Sequence, residues 1–159
     1  MSSDAPKSSA LDLPRSARIA VVAARWNASI VDVLLSDCVE RLKQIGLDET
    51  RISVHRVPGA FELPVAAKML VDTGRFNAVI LLGCVIRGET AHFEYVAGGA
   101  ARGIQDVATA TGIPCIFGVL ATENLAQAQA RAGGEHGHAG IAAADAAAEM
   151  IALAHSLKQ

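Results

Sequence analysis

The chain has 159 residues, a length that suits one domain with a real apolar core. Of these residues 52% are hydrophobic. No apolar run approaches the ~18–20 residues of a membrane-spanning helix, and the formal net charge of −2, without a basic block, excludes the footprint of a nucleic-acid binder.

Residues 1–16, MSSDAPKSSALDLPRS, are polar, hold two prolines and several serines, and lack the apolar stretch of a signal peptide. They predict a flexible N-terminal arm, or one that orders only against a neighbouring subunit. Residues 17–159 read as a single domain, with no internal repeat and no linker. Arg18–Ala23 predicts a first strand. From Ser29 to Ile45, apolar residues at 30, 33, 34, 38, 42 and 45 recur at helical spacing, and Gly46 stops the helix. Ile52–Val57 is a short second strand. Phe61–Asp72 predicts a second helix with Pro64 in its opening turn, where proline is tolerated.

Ala78–Ile86 is apolar throughout, as a parallel strand covered on both faces must be. Phe93, Val96, Ala97, Ala100, Ile104, Val107 and Ala108 form the stripe of a third helix, which Gly112 and Pro114 end. Cys115–Leu120 is a fourth strand. A short helix over Asn124–Ala132, a Gly/His loop and an alanine-rich helix over Ile141–Leu157 complete the chain. Strands alternating with helices imply right-handed βαβ units, hence a three-layer αβα sandwich around a four-stranded parallel sheet. The three cysteines, Cys38, Cys84 and Cys115, are far apart in apolar stretches, which favours buried thiols in a reducing, cytoplasmic compartment over a disulfide framework.

Ligands of such sheets bind beyond the carboxyl ends of the strands. Those ends carry Arg25-Trp26-Asn27, then Val57 to Glu62, then Arg87 to His92, then Thr122-Glu123-Asn124, with Arg131 a little further on. In the third loop, Gly88 lets backbone approach a ligand, and Glu89 and Thr90 lie at a helix N-terminus, where N–H groups and the helix dipole favour an anion. Ordinary capping of a βα turn is the alternative. The loop is neither GxxxxGK[ST] nor GxGxxG, so nothing points to ATP or NAD. His92, in the first helical turn, is either a proton shuttle or a structural histidine. Trp26 either packs in the core or stacks on a planar heterocycle. Glu62 accepts from sugar hydroxyls or supplies favourable charge to a helix start. Arg131 is a phosphate clamp or an unpartnered surface arginine. His136 and His138 have no recognised metal-ligand spacing, so no metal is expected, and no GxSxG elbow supports a serine nucleophile.

Together RWN (25–27), VPGAFELP (57–64), GCVIRGETAHFEYV (83–96) and FGVLATEN with ARAG (117–124 and 130–133) closely resemble the lumazine synthase family, from about Arg18 to the C-terminus. The combination of PGAFE with RGET-x-HF is specific, whereas each motif alone is weak. The resemblance implies a flavodoxin-like fold whose sheet is extended by a neighbour's N-terminal segment. It implies condensation of 5-amino-6-(D-ribitylamino)uracil with 3,4-dihydroxy-2-butanone 4-phosphate, the penultimate step of riboflavin synthesis, without metal or organic cofactor. In that reading Trp26, Asn27, Ala60, Phe61, Glu62, Cys84, Val85, Ile86 and Phe117 bind the pyrimidine and its ribityl chain. Gly88, Glu89, Thr90 and Arg131 take the phosphate, and His92 moves protons. The family's sites lie between subunits of a pentamer or its multiples, with Phe117 and Arg131 supplied by the neighbour, and riboflavin synthase is a further possible partner.

One departure stands out. The family often carries lysines after the ARAG motif, but here residues 134–140 read GEHGHAG, so their contacts are lost or passed to His136 or His138. That difference keeps open a flavin- or lumazine-binding shell protein with little or no catalysis. A sugar-phosphate isomerase would use the phosphate loop but leave Trp26 and Glu62 unexplained.

Overall fold

The computed structural model describes residues 13–158. Strands β1 (Ile19–Ala24), β2 (Ile52–Val57), β3 (Ala78–Ile86) and β4 (Cys115–Thr122) form one parallel sheet in the order β2-β1-β3-β4. β1 is buried at every position and β3 from Ala78 to Cys84, which is why both lack polar alternation. β2, at the edge, mixes exposed and half-buried positions.

Successive side chains of the central strands point to opposite faces, so the core divides in two. Ile19, Val21, Ile80 and Leu82 pack with Leu34 and Cys38 of α1 (Ala28–Gln44) and the alanines of α5 (Ala139–Ser156). Ala20, Val22, Val79 and Leu81 pack with Leu63 and Ala67 of α2 (Leu63–Asp72) and Ile104 of α3 (His92–Thr111). These layers are the αβα sandwich that the alternating pattern predicts. α1 and α5 meet closely because α5 is faced with small residues. A Cβ on Gly140 would lie 3.0 Å from Cα and the carbonyl carbon of Leu34, well inside contact distance. No helix among the described residues is long and apolar enough to cross a membrane.

Two local expectations change. The predicted helix over Phe61–Asp72 opens as a 3-10 turn, Ala60–Glu62, and becomes α-helical only at Leu63. There the Glu62 Oε2 folds back to accept from Gly59 N at 2.9 Å, so the carboxylate caps the turn instead of continuing a regular helix. The predicted Gly/His loop is an antiparallel hairpin of β5 (Ala132–Gly134) and β6 (Gly137–His138), following α4 (Leu125–Arg131), and α5 starts at Ala139 rather than Ile141. Gly133 and Gly137 supply its left-handed positions, with φ of 97° and 94°. The His138 Nε2, 2.5 Å from Asp37 Oδ2, fastens it to α1.

Of the arm expected over residues 1–16, residues 1–12 lie outside the described residues. Leu13 packs against the α1/α5 core, and Ala17 N donates to Pro14 O at 2.8 Å.

Candidate active site

Where β1 ends, the chain must leave the sheet without orphaning its neighbour. The β1–β3 pairing stops at Ala23 opposite Leu82. Two residues on, the Cys84 carbonyl receives the side-chain amide of Asn27 at 2.8 Å. Asn27 itself sits at φ 57°, the only described non-glycine residue with positive φ, and begins α1 without capping it through its side chain. Asparagine tolerates that conformation better than most residues. On the other side, Arg25 N and Trp26 N donate to Val57 O and Pro58 O at 2.9 and 3.2 Å, tying this loop to the exit of β2. Trp26 is left 73% exposed beside Gly59, where a Cβ would meet the indole Cδ1 at 3.3 Å.

Opposite lies α3, whose glycines admit the second loop. A Cβ on Gly99 would fall 2.8 Å from Phe61 Cε2, and one on Gly103 would fall 2.7 Å from Pro64 Cβ. Two glycines inside a helix carry a cost of about 1 kcal/mol each relative to alanine, offset here by close packing against the PGAFELP segment. The third loop leaves β3 through Arg87, whose N–H donates to Thr122 O at 2.9 Å. Gly88, Glu89 and Thr90 follow, all exposed, and Thr90 Oγ1 accepts a long 3.4 Å contact from His92 N at the start of α3.

A cavity of about 620 Å³, ligand-sized, opens between these loops. Trp26, Asn27, Ala60, Phe61, Glu62, Cys84, Val85, Ile86 and His92, nine of the residues singled out from sequence, line it. Gly88, Glu89 and Thr90 lie along the chain between two of its lining residues, Ile86 and His92, but do not line it. Gly59, from the strand-end segment already noted, lines it as well, and so do Tyr95 and Val96, which the sequence did not mark as site residues. Tyr95 had a readable signal, since three residues past His92 places it on the same helical face.

Phe117 and Arg131 do not line this cavity. Phe117 pairs with Leu81, while the strand end is marked by Thr122 opposite Ile86. The five intervening steps put it roughly 16 Å back along the strand. Arg131 is exposed at the end of α4, its Nη1 donating to Gln127 O at 3.0 Å.

The chemistry on offer is acid–base and hydrogen bonding around an aromatic slot. Burial pushes the Cys84 thiol up to about 11, so it remains protonated at neutral pH and a poor nucleophile. A separate network stands at the third loop. Arg87 pairs through Nη1 with Glu94, through Nε with Glu123 Oε2 at 2.8 Å, and lies 4.2 Å from the centroid of the Phe93 ring. The hydrogen bonds that Arg87 donates to Glu94, then to Glu123, push the guanidinium pKa further up, and the same bond to Arg87 lowers that of the Glu94 carboxyl.

Residues 16–155 match the family model described as 6,7-dimethyl-8-ribityllumazine synthase. A protein of that name from Xanthomonas oryzae pv. oryzae (strain PXO99A) is 49% identical over 140 residues, covering 88% of this chain and 91% of the relative. Another of that name, from Xylella fastidiosa (strain 9a5c), is 44% identical over 144 residues, covering 91% and 94%.

Proposed function

The chain belongs to the 6,7-dimethyl-8-ribityllumazine synthase family, and from that premise we propose that it condenses 5-amino-6-(D-ribitylamino)uracil with 3,4-dihydroxy-2-butanone 4-phosphate in the cavity at the strand ends, releasing phosphate and water. The observation that carries this is the meeting of Trp26, Phe61, Glu62 and His92 around one ligand-sized space, although they come from three separate loops.

The indole of Trp26 stacks on the pyrimidine, with Phe61 on the α3 side. Asn27, Ala60 and the β3 end, Cys84 to Ile86, bound the ring and the ribityl chain. Glu62 holds Gly59 N with one carboxylate oxygen, leaving Oε1 to accept from ribityl hydroxyls. Thr90 accepts from His92 N, so its own O–H is free to donate toward the phosphate, beside the backbone of Gly88 and Glu89. His92 shuttles protons while the imine forms, phosphate leaves and the ring closes. Alignment of an amine with a ketone removes much of the barrier, so this chemistry asks for orientation more than for a strong catalyst.

Phe117 and Arg131 act in the site of an adjacent subunit of a homo-oligomer, a pentamer or a multiple of pentamers. The support is their family position together with their separation from this chain's own cavity. The exposed edge of β2 is where a neighbour's N-terminal segment adds a strand. The enzyme works in the cytoplasm, where free Cys38, Cys84 and Cys115 stay reduced, and riboflavin synthase consumes its product. A steady-state assay of the purified protein with both substrates, followed by lumazine absorbance, tests the activity. Absence of product sinks it.

A further inference from the structure

We propose that Arg87 is a positioning residue of the phosphate loop, bridging Glu94 and Glu123 over the Phe93 ring so that residues 88–90 are held between the ends of β3 and β4, and that it does not bind the anion itself. The inference rests on the condensation reading for the identity of the phosphate-bearing substrate.

Arg87 is the cation next to the phosphate loop in sequence and so the obvious anion ligand. Its contacts say otherwise. The guanidinium meets Glu94 of α3 through Nη1 and Glu123 beyond β4 through Nε, and its Cζ lies over the Phe93 ring. Nη2 is left over, but an anion there would meet a guanidinium whose charge two carboxylates already offset. The sum of charges is also unfavourable, since one arginine stands among Glu89, Glu94 and Glu123.

The same contacts give Arg87 a mechanical role. Its backbone N–H extends the β3–β4 pairing one residue past Ile86 opposite Thr122. Residues 88–91 then run free of the sheet until His92 starts α3, and Glu94 lies within that helix's first turn. Arg87 therefore holds both ends of the span, the strand through its backbone and the helix through its side chain. Gly88 has no atom within 4 Å of where a Cβ would stand, so packing does not fix the loop there. A planar fork that reaches two carboxylates from over a ring suits arginine and not lysine.

The test compares Arg87→Gln, Arg87→Lys and the double variant Glu94→Gln/Glu123→Gln in the assembled protein. The readouts are inorganic phosphate binding by calorimetry, KM for each substrate, and hydrogen exchange over residues 88–91. Arg87→Gln is expected to weaken phosphate binding and raise KM for the four-carbon sugar phosphate about tenfold, with KM for the pyrimidine within about twofold, the scale of a slightly misplaced contact. Arg87→Lys recovers little of this. The double variant keeps Arg87 and removes two negative charges, yet it is expected to weaken phosphate binding about threefold or more and to speed exchange, because the strut is lost.

Tighter or unchanged phosphate binding in the double variant overturns the proposal and makes Arg87 an anion ligand restrained by its carboxylates. Equal losses for both substrates overturn it too, as a purely structural effect. Should Arg87→Gln fail to fold, the double variant alone decides. Wild-type protein that binds phosphate but makes no lumazine refutes the condensation and leaves Arg87 to be judged by phosphate binding and exchange; wild-type protein that binds no phosphate refutes the present inference.

Discussion

Asn27 combines a left-handed backbone with a hydrogen bond that closes the end of the β1–β3 ladder, and substitutions separate the two. Asn27→Gly keeps the backbone at φ 57° without steric cost but removes the amide that donates to Cys84 O at 2.8 Å. The loss of one part-buried hydrogen bond predicts a destabilisation of about 1 kcal/mol, within the usual ~0.5–1.5. Asn27→Ala loses the same bond and adds the left-handed penalty of an L-residue with a Cβ, roughly 1–2 kcal/mol. Glycine's extra freedom in the unfolded chain returns ~0.4–1 kcal/mol of that difference, leaving alanine below glycine by about 1 kcal/mol. In a chain of this length that gap is roughly 2–4 °C in Tm. Urea denaturation of the three proteins at one fixed subunit concentration measures the order, so that the proposed assembly weighs equally on all three. The expected order is Asn, then Gly, then Ala. Alanine equal to or above glycine refutes the claim that the conformation at position 27 is strained for ordinary residues, and glycine equal to asparagine refutes the role of the Cys84 bond.

His92→Ala is expected to lower kcat about 10²-fold with little change in the KM of the pyrimidine, as for a lost general acid–base, and an unchanged kcat in steady-state turnover would remove His92 from the proton chemistry. Gly103→Ala should destabilise by about 1 kcal/mol, because overpacking against the rigid Pro64 ring (~1–3 kcal/mol) exceeds the ~1 kcal/mol gain in helix propensity. Gly99→Ala should leave stability equal or higher, since the exposed Phe61 ring can swing away, but should weaken pyrimidine binding; melting curves in the reverse order would contradict the packing argument. Burial pushes the Cys38 thiol from 9.0 to about 12, so the folded state keeps a proton that the unfolded chain releases. Its contribution is complete below the unfolded value and is lost as pH rises from there toward the folded one. The fall in the urea midpoint between about pH 8 and 11 should therefore be shallower in Cys38→Ala, and an identical slope would argue against a protonated buried thiol.

The sheet and its helices were legible because burial imposes its period on the sequence. β3 reads as continuous apolar residues since both faces are covered, and α3 shows a stripe since one face is. The unforeseen parts are those where a single side chain, not a period, decides the backbone. Glu62 turned a predicted helical start into a 3-10 turn by capping Gly59. The His138–Asp37 contact joins residues 101 positions apart, and it helps make a hairpin of what reads as a glycine-rich loop. Tyr95 and Val96 were read, where they were read at all, as part of an apolar helix, because sequence does not show that α3 begins with its first turn against a cavity. Arg87 and Glu123 were both recognised at strand ends, but their pairing depends on the β3–β4 register.

The histidines of the 134–140 segment pose a sharper question once that hairpin is seen. Of the two histidines in position to inherit an anion contact, His138 is largely buried, with its Nε2 on Asp37 and its Nδ1 enclosed without a hydrogen-bond partner. A ring so placed organises the start of α5 and is not presented to a ligand. His136 is exposed, but Glu135 lies 3.6 Å from its Nε2, so any positive charge there is opposed by its neighbour. From Leu125 to Gly140 the only lysine or arginine is Arg131, and it ends the helix that leads directly into β5. The lysine and arginine charge of this stretch thus rests on one side chain, whose Nη1 donates to Gln127 O within α4. With Arg87 committed to Glu94 and Glu123, the proposed arrangement, in which Arg131 enters a neighbour's site, predicts that phosphate affinity depends on assembly.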